Sequence, residues 1–233
     1  MNEELLFSSP EQIARDQQRF ISKVYGWMAT ALAITGLTAW YAASNDQLVQ
    51  FFIANRGLLF VMFIGQILLV GSLAGWIRKM SSQTATIIFV VYSILTGLIF
   101  STLFLIYTSG SLATTFLITG GMFAAMSIYG WTTGNDLTKF GSILFMLLIG
   151  LILASIVNIF LGSSMLYWIT TYVGIFIFTG LIAYDTQKIK NMAAYVEEGT
   201  EEHRKGAIMG ALSLYLDFIN LFMMLLRIFG NRR

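Results

Sequence analysis

Two aspartates stand where this sequence is otherwise apolar. Asp217 lies inside "GALSLYLDFINLFMMLLRIFGNRR", and Asp185 closes the run "GIFIFTGLIAYDTQKIK". An acid at the centre of a bilayer costs roughly 2.5–3.5 kcal/mol on insertion scales, so it persists only where protein or water satisfies it. Two readings stand open for each residue. Asp217 either glues its helix to a neighbour by a hydrogen bond or does functional work. Asp185 is either a helix-end charge beside Lys188 or a partner for Asp217. If the two converge, they resist ionising together and share a proton over some pH range, which makes a pH-sensitive latch.

The surroundings of Asp217 suggest which way it faces. Gly206, Gly210, Ser213, Asp217, Asn220 and Met224 follow one another at spacings of three and four, which puts them along one side of a helix. Lipid cannot satisfy the polar members of such a stripe, so it is expected to face other helices. Ser213 and Asn220 are then supporting polar neighbours, and the last helix sits centrally with Asp217 in the interior.

The elements that position these acids are membrane spans. The chain has 233 residues, of which 57% are hydrophobic and only 11% charged, too few to cover a water-facing surface. A net charge of +2 with scattered Lys and Arg gives no footprint for nucleic acid. No cysteine is present, which excludes disulfides and thiolate chemistry. A span needs about 20 apolar residues. Stretches of that kind run 24–44, 57–77, 84–107, 112–134, 140–161, 166–184 and 206–226, the last interrupted only by Asp217. This is an all-α integral membrane protein, a seven-helix bundle forming a single transmembrane domain over 24–230. A mixed-charge cytoplasmic segment, 1–23, precedes it and a short basic tail, 231–233, follows. The one substantial polar loop is expected at 185–205, and the single proline, Pro10, falls outside every span. Small residues at four-residue spacing (Ser93, Gly97 and Ser101; Gly150 and Ala154) are expected to let helices approach closely.

Orientation follows from the basic residues. Arg15, Arg19, Lys23, Arg78, Lys79, Lys139, Lys188, Lys190, Arg204 and Lys205 fall on one side of this topology, against Arg56 and the tail's Arg227, Arg232 and Arg233 on the other. The positive-inside rule puts the N-terminus in the cytoplasm and, with seven spans, the C-terminus outside.

The motifs "AYDTQKIK" at 183–190 and "LSLYLDFINLFMMLLRIFG" at 212–230, with "VYGWM" from Val24 and "GMFAAMSIYGWTT" at 121–133, resemble the Bax inhibitor (TMBIM) family in its bacterial inner-membrane branch. The resemblance spans nearly the whole chain. It implies a central last helix wrapped by six others and a calcium leak gated by pH through the paired Asp185 and Asp217. It further implies a basic latch at the end of the second span, here Arg78 in "GWIRKM"; a positive-inside anchor is the other reading of that residue. Some relatives carry an acid in the second span where this chain offers Gln66. Calcium binding at two aspartates is weak, because a tight site needs six to eight oxygen ligands. That suits a pathway the ion must also leave. No other cofactor is implied. His203 in "EEGTEEHRKG" is expected to be solvated and to hold no metal, and Glu197, Glu198, Glu201 and Glu202 to form a solvated face or to attract cations to a pore mouth.

Two other classes compete. Intramembrane aspartyl proteases pair a Tyr-Asp with a second aspartate, and Tyr184-Asp185 fits the first half. The residues before Asp217 are Leu214, Tyr215 and Leu216 rather than Gly-x-Gly, and no later span carries a proline, so an enzyme is not expected. The alternative function, also implied by the resemblance, is an interaction protein that restrains a membrane-anchored ATP-dependent protease, with Met1–Lys23 as the contact.

Overall fold

The computed structural model describes residues 10–233, and eight helices lie among them: α1 (Pro10–Ser44), α2 (Asp46–Ala54), α3 (Arg56–Trp76), α4 (Ser82–Ile106), α5 (Ser109–Thr132), α6 (Thr138–Leu161), α7 (Ser164–Ala193) and α8 (Glu201–Phe229). All but α2 are long and apolar enough to cross a membrane. Residues 1–9 of the expected cytoplasmic segment and protease contact lie outside the described residues.

Three boundaries differ from the sequence reading. Helix α1 begins at Pro10 rather than near residue 24. A proline suits that first position, where its missing N–H forfeits no helical bond. The described part of the lead-in is therefore helical, and by Phe20 (1% exposed) and Ile21 (6%) it is already packed. Helix α2 was not foreseen within the first connection; the Asn45 side chain caps it, accepting from the amides of Gln47 (3.0 Å) and Leu48 (3.1 Å). Helix α7 runs to Ala193 through the expected loop, because Thr186, Gln187 and Ile189 are buried despite their polar company. The connection shrinks to residues 194–200, where Gly199 takes a left-handed turn at φ 86°.

The chain forms two compact units. One comprises the described residues through Leu103 with Ile189–Leu212; the other comprises Phe104–Lys188 with Ser213–Arg233. In the first, Thr35 on α1 donates to the Ser93 carbonyl on α4 at 3.0 Å, and Gln66 on α3 donates to Thr96 at 2.7 Å. A Cβ added to Gly97 would overlap the backbone of Thr35, so α1 and α4 touch there as the Ser93-Gly97-Ser101 spacing implied. In the second unit, Leu144 and Leu151 of α6, Ile177, Phe178, Leu181 and Ile182 of α7, and Leu221, Met224 and Leu225 of α8 form one apolar core. Gly150 does not belong to it: it is exposed with nothing near its missing side chain, so the second small-residue pair does not mark a close helix contact.

Helix α8 is the most enclosed of the seven spans. Within its apolar stretch 67% of residues are buried, against 44% for α7 and 11% for α6. The outward faces carry large apolar side chains such as Phe160, Ile159 and Leu117, more than a water-facing surface tolerates.

Polar contacts fix which ends share a side. In the first unit, Glu198 in the α7–α8 turn pairs with Arg19 (3.2 Å) and Lys23 (2.9 Å) of α1, and Glu201 accepts from the amide and, at 2.9 Å, the hydroxyl of Ser82. In the second, the Thr108 amide donates to the Asn231 carbonyl (3.1 Å) and the Arg233 amide to that of Ile106 (2.9 Å), which clips the tail to the α4–α5 turn. The 194–200 turn precedes α8 and the tail follows it, so one helix long and apolar enough to cross a membrane separates them. A reporter after Arg233 and one inserted in residues 194–200 should therefore score on opposite faces of the membrane. Scoring on one face would mean that one of the helices does not cross.

The Glu198 pairing is itself pH-sensitive. Hydrogen bonds from Lys23 and Arg19 hold its carboxyl below the usual carboxylate range. A lowered carboxyl stabilises the paired fold above its ordinary value of 4.5 and loses that contribution as pH falls through the lower folded value. Amide exchange in residues 194–200 is expected to stay flat from pH 8 to 5 after correction for its intrinsic rate, and to accelerate only below that.

Candidate functional site

Helices α7 and α8 both belong to the second unit where the two acids sit. At about 1.5 Å per residue, Asp217 lies roughly 24 Å along α8 from Glu201, and Asp185 about 12 Å before the end of α7. The two carboxyls lie close enough to act on each other and are placed to share a hydrogen bond. Such a bond needs a proton on one of the oxygens, since a pair of carboxylates has no donor between them. Lys188, one turn further on, is the nearest cation acting on Asp185, and it also lies over the Tyr184 ring.

Their surroundings differ. Asp185 is half-buried, whereas Asp217 is 5% exposed and its Oδ2 is fully buried without a partner. An unsatisfied buried acceptor of this kind costs about 1–3 kcal/mol, more if charged. Leu214 and Tyr215, both 0% exposed, fill the turn before it, and the Phe218 ring packs edge-on against Phe116 and Phe123 of α5.

Glycines hold α7 at the level of the pair. A side chain at Gly130 on α5 would overlap the backbone of Ala183, and one at Gly141 on α6 would enter the Tyr184 ring. Gln187 adds a polar tie: its side chain accepts from the Leu137 amide and donates to the Asn135 carbonyl, both at 2.8 Å, fastening the α5–α6 turn to α7. So Asp185 is bracketed by two close helix contacts before it and one side-chain clamp after it.

The other expected site residues are placed less tellingly. Ser213 is half-buried one turn before Asp217. The Asn220 amide donates to the Leu216 carbonyl of its own helix at 2.8 Å and is spent there. The stripe is not what distinguishes α8, because Leu214, Tyr215 and Leu221 are more deeply buried than Ser213 or Asn220. Arg78 is exposed in the turn after α3, in the other unit. His203 departs from expectation: it is 4% exposed and stacks edge-on against Phe20, with centroids 5.0 Å apart. Glu198 and Glu201 are engaged with α1 and α4 rather than simply solvated. Among the described residues no three His, Asp or Glu side chains gather to hold a metal ion. Gly130, Gly141 and Gln187 carry no assignment from sequence, although Gly130 and Gln187 lie inside quoted motifs.

Comparison with known proteins agrees across the chain. The family model described as inhibitor of apoptosis-promoting Bax1 matches residues 17–233. Inner membrane protein YbhL of Escherichia coli K12 is 51% identical over 217 residues, covering 93% of either chain. Uncharacterized protein RP147 of Rickettsia prowazekii is 47% identical over 216 residues, 93% of this chain and 91% of its own. An uncharacterized membrane protein of Streptococcus pyogenes is 32% identical over 233 residues, 99% of each.

Proposed function

This chain belongs to the Bax inhibitor family, and on that premise we propose that it is a pH-sensitive calcium leak channel of a bacterial inner membrane, gated by Asp185 and Asp217. The observation that carries the reading is the approach of the two carboxyls to each other, with the orphaned Oδ2 of Asp217 beside them. With the shared proton in place the pair bridges α7 and α8 and the path is closed. As pH rises the proton leaves, two negative charges face each other, and the helices separate. The freed carboxylates then offer calcium a few oxygens, enough for a passing ion and too few to retain it. The pair does not act as a catalytic dyad in this reading, since Leu214, Tyr215 and Leu216 stand before Asp217 where Gly-x-Gly would be needed.

Purified protein in liposomes, with calcium entry followed by an internal dye, tests this. Flux is expected to climb from pH 6 to pH 8. A pH-independent flux, or none above empty liposomes, would sink the reading.

Arg78 is the latch on the closed state in this proposal. Arg78→Ala should raise flux at neutral pH several-fold while leaving it pH-dependent. Flux equal to the parent would return Arg78 to the role of a topology anchor.

A further inference from the structure

The first unit contains a cavity of about 500 Å³ that the proposed gate does not use. It opens where three elements meet: Lys23 and Trp27 from the middle of α1, Ser82, Gln83 and Thr86 from the first turns of α4, and His203, Arg204 and Ile208 from the first turns of α8. We propose that this cavity binds the phosphate headgroup of an anionic phospholipid from the adjoining leaflet.

Four observations converge. The volume falls within the range of small-molecule sites and far exceeds what a free phosphate ion fills. The lining is divided: Lys23, Arg204, Gln83 and His203 offer N–H donors, while Trp27, Ala207 and Ile208 give an apolar wall at which acyl chains can begin. His203 is 4% exposed, and its ring, packed edge-on against Phe20, forms part of the cavity wall beside Lys23 and Arg204. Lastly, Ser82, Gln83, His203 and Arg204 stand at the N-terminal ends of two candidate spans, α4 and α8, and span ends are where Trp and basic residues anchor to headgroups.

The charges are pre-positioned rather than idle. Lys23 is held at 2.9 Å by Glu198, which spends one of its three donors, and Arg204 lies 3.7 Å from Glu201, a loose contact at the surface. Glu201 is turned towards the start of α4, where it accepts from Ser82. The cavity's own walls therefore carry two cations and no carboxylate. Gly199, with its left-handed backbone, also lines the cavity.

The test is equilibrium binding of short-chain phospholipids to the full-length protein in a neutral detergent, read by native mass spectrometry. Phosphatidylglycerol is expected to bind roughly tenfold more tightly than phosphatidylcholine, since each basic residue near a headgroup favours the anionic lipid. The Lys23→Gln, Arg204→Gln double variant should lose that preference. Thr86→Leu leaves every charge in place but fills part of the cavity, so it should weaken phosphatidylglycerol binding even if the double variant does not fold. Inorganic phosphate at millimolar concentration should not displace the lipid. The proposal is overturned if the parent shows no preference between the two lipids, if either folded variant binds as the parent does, or if inorganic phosphate competes fully, which would make the ligand a soluble anion. None of these readouts depends on calcium flux.

Discussion

Replacing Asp217 with asparagine is expected to abolish the pH response while leaving a folded protein. Asn keeps nearly the shape of Asp and can donate from its amide to Asp185, so the contact between α7 and α8 survives. What it cannot do is lose a proton. One shared proton changes an open-to-closed ratio by at most about tenfold per pH unit, and that is the slope the parent's calcium flux should approach between pH 6 and 8. For Asp217→Asn the slope should be near zero, with the conductance fixed at the parent's low-pH level. Glu198 cannot supply a compensating slope, because its pairing with Lys23 and Arg19 moves its titration well below this window. If Asp217→Asn fails to insert, the acid is helix glue; if it folds and still titrates like the parent, the sensor lies elsewhere.

The largest structural effect is expected at a residue with no chemistry of its own. Gly130→Val would force a branched side chain into the carbonyl and Cα of Ala183, atoms that cannot swing aside. Replacing Gly inside a helix ordinarily gains up to about 1 kcal/mol in propensity. Overpacking against backbone costs about 1–3 kcal/mol and more for a β-branched group, so the clash wins. The thermal midpoint should fall by several degrees. Because Ala183 lies two residues before Asp185, the carboxyl pair should also separate, and the flux should lose its pH dependence although both acids remain. Gly150→Val makes the matched control: that position is exposed with nothing within 4 Å, and its effect should stay within about 0.5 kcal/mol. Equal effects at the two positions would mean that helix packing around the pair is not what sets its geometry.

These two glycines also mark how far the sequence could be read. Spans show because apolar length is a strong, one-dimensional signal, and the acids show because charge is rare within it. Which neighbours a span meets is a different kind of information. The Ser93-Gly97-Ser101 and Gly150-Ala154 spacings look equivalent on paper, yet Gly97 touches the backbone of α1 while Gly150 faces outward. The α7 boundary differs from the sequence expectation for a related reason. Thr186 and Gln187 read as loop because they are polar, but Gln187 spends its amide on the α5–α6 turn and Thr186 is wholly buried. His203 departs from expectation in the same way: Glu202 and Arg204 beside it are exposed while its own ring turns in towards Phe20. Residue type and span order left the convergence of Asp185 and Asp217 open, and the glycine contacts that hold Asp185 in place needed three dimensions.

The enclosure of α8 has a consequence for how the molecule is made. The ribosome delivers α8 after the six spans with which it shares the two units, although it is the helix most surrounded by protein. A nascent chain must therefore pass through a stage in which α7 is already threaded and Asp185 lacks the carboxyl to which it later bonds. Insertion can proceed span by span, but maturation waits on a single late docking event. Slowing translation between the codons for residues 193 and 217 should prolong that stage and expose the chain to proteolysis, while the same delay before α3 should cost it nothing.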